Sequence, residues 1–308
     1  MPSSRDPLAE PRSLDAVELA TLLWPVRAEG RWVPLPGEQR LALEELVVLL
    51  LEYAETGELD RRARRSARSL ALAAKVELSA VEVGGVSLWL VSESADRVRG
   101  AGAYLIRLGP TAPLVLSAPH VFHDQGTGDI ALALLLEARA PSSTPRAIFV
   151  NDVHRHRQLD GRKIDRRDNP ADSAHAHEHP LAATTRRVLE RLPLAIIQLH
   201  GYGGELLAGE PVAILSSGGH RPSRYVRNVA ISLRRGLPEL PIGLYGVDAD
   251  RLGGTTNIQA QAARELGRCF LHVELSRPLR DRLVAEPDLR ARWGPALLRV
   301  PEEPSDCR

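Results

Sequence analysis

The hydrophobic pattern of the chain changes its period near Val76. Before that point, Leu14–Leu23 and Leu41–Tyr53 repeat apolar residues at three- and four-residue intervals, separated by the break Pro34-Leu35-Pro36-Gly37. Ser66–Lys75 continues as an Ala-, Leu- and Arg-rich stretch. Residues 1–75 are therefore read as a small helical N-terminal segment, whose first dozen polar and Pro-rich residues are expected to be disordered. From residue 76 onward, short apolar runs predict strands at Ser87–Val91, Ala103–Ile106, Leu114–Ser117, Ala147–Asn151, Ala195–Leu199, Val212–Ser216, Ile242–Tyr245 and Cys269–Leu275. Helical patterns lie between several of them, at Asp129–Glu137, Leu181–Arg191, Ser223–Arg235 and Ile258–Leu266. Strands alternating with helices imply that residues 76–308 form one α/β domain, a three-layer sandwich around a central mixed, mostly parallel sheet. The first two runs have no helix between them and predict an antiparallel edge hairpin. One last helix, Asp281–Arg292, is expected before a loose tail.

Composition narrows the classes. The 308 residues are 44% hydrophobic and 26% charged, with a formal net charge of +1, so no overall field favours nucleic acid or an anionic membrane. The Arg61–Arg68 cluster reads as the solvated face of a helix. No basic stretch followed by an apolar core opens the chain, and no apolar run approaches the ~20 residues that span a bilayer. The two cysteines, Cys269 and Cys307, argue against a disulfide framework; Cys269 is read as buried and inert, and a cytoplasmic address is expected. The N-terminal segment contains no histidine and reads chiefly as a packing element, with docking of a protein partner or self-association through residues 14–75 as the alternative.

All ten histidines fall between positions 120 and 272. The stretch Pro113–Ala133 combines an apolar strand, a break at Pro119, two histidines, two carboxylates and a helix. Ligand sites in open α/β sheets lie at the carboxyl ends of strands, and His120 ends such a strand. His200 ends another, followed by Gly201 and Gly203, which give the backbone room to turn. One carboxylate or a second imidazole from the 123–124 turn would complete a three-ligand site with an open position, the layout of catalytic zinc. On the last strand Phe270, His272 and Glu274 share one face. A glutamate ending a buried strand is costly unless it has a task, and general base to a metal-activated water is one; an ion pair with Arg277 or Arg280 is the plainer alternative. His175, His177 and His179 lie in a polar loop bracketed by prolines and read as a cover over the site rather than a metal clip. Asp172 or Ser173 reads as a cap, and His272 as a core residue or a support for a ligand. Tyr202 and Tyr245 sit beside glycines where they could line a pocket. No Gly-rich phosphate loop, Cys-x-x-Cys pair or Gly-x-Ser-x-Gly elbow is present.

Ser117-Ala-Pro-His120…Asp124-Gln-Gly126-Thr127-Gly-Asp-Ile-Ala131 resembles the signature of the poly-γ-glutamate hydrolases, which with the N-formylglutamate amidohydrolases belong to the zinc carboxypeptidase-like superfamily. Ile197-Gln-Leu-His200-Gly201 resembles the strand end that gives the superfamily its third zinc ligand. Asn257-Ile258…Val273-Glu274-Leu275-Ser276-Arg277-Pro-Leu279-Arg280 resembles the segment holding its catalytic glutamate. The matches come in family order over roughly residues 100–285. The resemblance implies Zn2+ held by His120, Asp124 and His200, with Glu274 as general base. Asp124 stands where the family has glutamate, and counting from His120 as in His-x-x-Glu lands instead on His123, the alternative ligand. Val150-Asn-Asp152-Val-His154-Arg155 resembles a segment whose arginine holds a substrate carboxylate, although His154 stands where asparagine is usual. Arg155 is accordingly the first choice for carboxylate recognition, with Arg162, Arg280 and Tyr202 as further substrate-binding candidates.

The resemblance thus implies a metallopeptidase-like amidohydrolase that cleaves a peptide, γ-glutamyl or N-acyl amino-acid bond in a small-molecule or peptide substrate bearing a carboxylate. Two rivals stand beside it. One is an enzyme with iron or manganese at the same cluster, taking His123 and His154 as extra ligands. The other is a non-catalytic binding protein on a hydrolase scaffold.

Overall fold

The structure, a computed structural model, describes residues 8, 10–24, 32–94, 97–157, 169–203 and 210–308. Arg162 and most of the polar N-terminal stretch lie outside them. Among the described residues, ten strands form one sheet: β1 (Arg12–Ser13), β2 (Glu77–Val83), β3 (Val86–Ser92), β4 (Ala103–Arg107), β5 (Ala112–Ala118), β6 (Pro145–Val150), β7 (Ala195–Tyr202), β8 (Ala213–Ser216), β9 (Ile242–Leu244) and β10 (Phe270–Ser276). Their order is β1-β2-β3-β4-β6-β5-β7-β10-β8-β9. The central four, β6-β5-β7-β10, are mutually parallel, while β2, β3, β4 and β6 pair antiparallel, as do β10 and β8.

Among the described residues the helices are α1 (Ala16–Leu23), α2 (Gly37–Tyr53), α3 (Arg61–Ala74), α4 (Thr127–Glu137), α5 (Pro180–Arg191), α6 (Arg224–Gly236), α7 (Ile258–Glu265), α8 (Arg277–Ala285) and α9 (Pro287–Leu297). Two apolar layers separate them from the sheet. One holds α1, α4, α6, α8 and α9 against Leu114, Leu116, Ile197, Leu199, Leu271 and Val273. The other holds α2, α3, α5 and α7 against Val115, Ile196, Phe149 and Phe270. This is the three-layer α/β sandwich. On α3 the alanines 63, 67, 71 and 74 face inward at near-fourfold spacing, and Arg61, Arg62 and Arg65 face solvent.

Several elements differ from the sequence reading. β3 and β4 do pair antiparallel, but β2 and β1 lie outside them, so the hairpin is not the edge. β2 and β3 are joined by Gly84-Gly85, both with positive φ (57° and 79°), a turn that only glycine adopts readily. The closing helix is two helices broken at Glu286, because Pro287 cannot donate to the preceding turn and instead starts a new one. Cys269 is not a free thiol: it is bonded to Cys307, with Cα atoms 4.4 Å apart across 38 residues of sequence. The tail is not loose either. Asp306 is buried, ion-paired to Arg224 on α6, and accepts the backbone amides of Glu302 and Glu303, which folds the short turn Pro304–Cys307 against the domain. No described helix is long and apolar enough to cross a membrane.

Candidate metal centre

The face of β5, β7 and β10 that packs on α7 changes character along the strands. Phe270 pairs with Ile196; one rung on His272 pairs with Gln198, and the next joins Glu274 to His200. Ser117 on β5 sits beside Gln198. Apolar side chains thus give way to polar ones at the carboxyl end of the parallel strands, where β5 leads to β6 on one side and β6 to β7 on the other.

After Ala118 the chain makes a single helical turn: the amides of His123 and Asp124 both donate to His120 O, at 2.8 and 2.7 Å. Residues four apart then share a side, so Asp124 is buried beside His120 while His123 points to solvent. Gly126 ends the turn with φ +89°, a conformation that lets α4 start there. His200 comes from the end of β7. One ligand atom from each of His120, Asp124 and His200 lies within 4.8 Å of the others, and all three residues are buried.

The ring orientations are set by neighbours. His120 Nε2 is 2.9 Å from Asp172 Oδ1, and His200 Nε2 is 2.8 Å from Gln198 Oε1. Gln198 is itself fixed: its Nε2 donates to Gln259 Oε1 (2.6 Å), its Oε1 accepts from Asn257 Nδ2, and Gln259 Nε2 donates to Ser173 O (3.0 Å). The Nδ1 atoms face Asp124 Oδ2, at 3.4 Å from His120 and 3.3 Å from His200, and the acceptors at both Nε2 atoms favour the tautomer that carries the proton there whenever a ring is neutral. Two lone pairs and a carboxylate oxygen facing one another repel unless something positive lies among them. This donor set, two imidazoles and a carboxylate, suits a transition-metal ion and leaves a coordination position open.

Burial and the mutual charges of the cluster set its electrostatics. Burial opposes a charge on His120, but the carboxylates of Asp124 and Asp172 outweigh it and raise its pKa. Burial likewise pushes the Asp124 carboxyl up, and the imidazoles of His120 and His200 overcome it, holding Asp124 well below the usual carboxylate range. Burial brings His200 down to about 4 and pushes His272 well below its ordinary value. Glu274, beyond His200, is pushed up to about 8, first by burial and then by the charge of Asp124. Its Oε1 is 3.7 Å from His272 Nε2, and the His272 ring lies 4.6 Å from that of His200. His200, His272 and Glu274 make an adjoining group that shares His200 with the first.

Arg155 reaches the cluster from the loop after β6. Its guanidinium donates to His120 Nδ1 (3.1 Å) and to Asp172 Oδ2, so a cation at His120 and this hydrogen bond compete for one lone pair. Arg280 is buried, and its guanidinium donates to the carbonyls of Gln125 (2.8 Å), Tyr202 (3.2 Å) and Leu275. A Cβ on Gly201 would stand 2.1 Å from Arg280 Nη1, which is why the residue after His200 has no side chain. The Tyr202 hydroxyl donates to Pro211 O. Tyr245 lies on a separate cleft with His220. His123 is grouped with His154 and His156 rather than with His120.

The histidine loop is split in its roles. His175 bridges Asp172 (3.1 Å) and Thr256 (3.2 Å), His177 is exposed, and buried His179 caps α5 by accepting the Leu181 amide (3.1 Å). Asp172, read from sequence as a cap, binds His120, Arg155 and His175 together. Asp172 and Gln198 are the residues that sequence reasoning missed. Gln198 carried a signal, a polar residue two positions before His200 on the same face of an apolar strand.

No family model and no curated protein matches the chain. Among solved structures it is similar to a bacteriophage poly-γ-glutamate hydrolase, at 13% identity and TM-score 0.36, over 64% of this chain and 79% of that one. It is also similar to N-formylglutamate amidohydrolase from Ralstonia eutropha JMP134, at 14% identity and TM-score 0.38, over 62% and 93%. A third is the tripeptide-bound cell shape determinant Csd4 from Helicobacter pylori, at 18% identity and TM-score 0.36, over 63% and 54%. At these identities and TM-scores the likeness carries no argument about function, and the chemistry of the site stands on its own residues.

Proposed function

We propose that the protein is a zinc-dependent hydrolase of amide bonds, with His120, Asp124 and His200 as the ligands and Glu274 as general base. The observation that carries this reading is the convergence of two imidazole Nδ1 atoms on one buried carboxylate oxygen, with Glu274 next to His200 in the strand register. When bound, a zinc ion supplies a Lewis acid that polarises a carbonyl and makes water more acidic. Asp172 and Gln198 hold the two rings in the tautomer that ligation requires. Glu274 takes a proton from the attacking water on a carboxylate oxygen and returns it to the leaving amine nitrogen. Burial makes the Glu274 carboxylate a stronger base, which suits it to take the proton, and the neutral acid that burial favours is the form that hands it to the leaving nitrogen.

Arg155 is the group suited to an anionic substrate. Anchored on one edge by Asp172, it directs the rest of a planar fork toward the cluster, where it can bind a substrate carboxylate or the oxyanion that develops during attack. The substrate class is an amide with a carboxylate near the scissile bond, such as a peptide, γ-glutamyl or N-acyl amino-acid compound. Arg280 and Tyr202, bonded to backbone carbonyls, hold the pocket wall in this scheme.

The test begins with metal content of the purified chain by mass spectrometry, beside His120→Ala and His200→Ala. A zinc equivalent lost in both variants supports the site, and a screen of N-acyl and γ-glutamyl amides then follows with Glu274→Gln as the inactive control. A wild type that stays metal-free after zinc loading, with unchanged folding, overturns the reading.

A further inference from the structure

His123, His154 and His156 lie outside the cluster just described. His123 projects to solvent from the turn that buries Asp124, and the other two flank Arg155 on the loop after β6. That loop sends Arg155 inward to His120 and Asp172 and places its two histidines beside His123. The ring centroids are 5.8 Å apart for His123 and His154, 5.0 Å for His123 and His156, and 5.2 Å for His154 and His156. One nitrogen from each lies within 4.8 Å of the others. His123 is exposed and the other two are half-buried, so the group is open to ions from solution.

We infer that these three residues form a second, separate transition-metal site, which clasps the Arg155 loop to the Asp124 turn. Three imidazoles with no carboxylate among them suit zinc, nickel or copper, whereas calcium and magnesium require oxygen ligands. His154 Nδ1 accepts the His156 amide at 3.1 Å, which orients one ring against the other; a cation that takes this lone pair replaces the hydrogen bond with a coordinate bond. The consequence is positional. Asp124 and Arg155 reach the buried cluster from two different loops, and an ion on the trio ties those loops together one residue away from each.

The experiment strips the full chain of metal, loads it with Zn2+, passes it through gel filtration and counts zinc by mass spectrometry. Wild type is expected to retain two equivalents, His154→Ala/His156→Ala one, and His120→Ala/His200→Ala one. His156→Gln, which keeps a polar side chain, is expected to lose the same equivalent as the double variant. Zinc is also expected to raise the melting temperature of His120→Ala/His200→Ala but not when His154→Ala/His156→Ala is added to it. Retention of two equivalents by His154→Ala/His156→Ala overturns the second site, as does a wild type whose sole equivalent disappears with His120 and His200. Failure of the catalytic reading has a different signature: zinc content would then fall with the outer histidines and be unchanged in His120→Ala/His200→Ala.

Discussion

Asp172→Asn tests whether Asp172 is only a cap or also orients a ring of the candidate metal centre. Asp172 is fully buried, and its two oxygens meet His120 Nε2 at 2.9 Å, His175 Nδ1 at 3.1 Å and the Arg155 guanidinium. Asparagine keeps the size and the position of one oxygen but removes the charge and turns the other acceptor into a donor. Whichever way the amide is turned, its nitrogen faces either the His120 N–H or the Arg155 guanidinium, so a donor meets a donor. Losing a hydrogen bond to a charged acceptor costs about 1.5–3 kcal/mol. Independently, removing the partner of a metal-ligating histidine weakens metal binding by roughly 10–100-fold, and at about 1.4 kcal/mol per decade that is roughly 1.4–2.8 kcal/mol. The first figure is a cost to the fold and the second a cost to zinc binding. The assay is competition for Zn2+ at pH 7 between the chain and a chromophoric chelator, with His154→Ala/His156→Ala as the background so that only the buried centre is read. A zinc affinity within about twofold of the background protein, with circular dichroism unchanged, would refute the role given to Asp172, since a ring free to turn cannot ligate as well as a held one.

Glu274→Gln is expected to lower kcat by roughly 10²–10⁴ with zinc content unchanged; loss of the metal as well would make Glu274 a ligand, not a base. Gly201→Ala forces the Arg280 guanidinium away from its carbonyls, and losing one such charged hydrogen bond should destabilise by about 1.5–3 kcal/mol in urea unfolding, whereas an unchanged midpoint would mean that Arg280 relaxes without loss. His179, brought down to about 3 by burial, carries the pH prediction. Its folded pKa lies below the unfolded value of about 6.5, so its contribution is complete above pH 6.5 and is lost as pH falls toward 3, by up to about 1.4 kcal/mol per pH unit. His179→Asn, which can still cap α5, should flatten that decline, and parallel stability curves for the two proteins between pH 6 and 4 would rule His179 out as its source.

What the sequence made legible was local. His120, His200 and Glu274 each end an apolar run with a polar residue, and a strand end is where such residues meet in a parallel sheet. The order of strands and helices is visible for the same reason, since period and punctuation lie within a few residues of each other. Two missed features carried local signals all the same: Gly84-Gly85 marks the β2–β3 hairpin, and Pro287 marks the break between α8 and α9. Asp172 had none, because it belongs to an aperiodic loop whose partner is 52 residues away in sequence. Nor does the 38-residue spacing of Cys269 and Cys307 tell how close their Cα atoms stand. That depends on Arg224 and Asp306 drawing the tail back onto α6. That Asp124 faces inward and His123 outward required the turn itself, since only a helical turn puts the fourth residue inward and leaves the third to solvent.

The polar ladder gives the strongest physical reason to look for function here. Val115, Ile196 and Phe270 show that this sheet face packs well as an apolar layer, yet two residues further along it carries Ser117, Gln198 and His272, and then His200 and Glu274. Burying these groups is costly unless each finds a partner. Part of the cost is met within the fold, by the chain from His200 through Gln198 to Asn257, Gln259 and Ser173. It is not fully met. Ser117 Oγ and His272 Nδ1 have no hydrogen-bond partner among the described residues, and Glu274 is held near pH 8 by burial. An apolar continuation would be more stable and easier to pack. What the polar version adds is a set of ligand atoms fixed around Asp124, placed where a cation or a substrate can complete it.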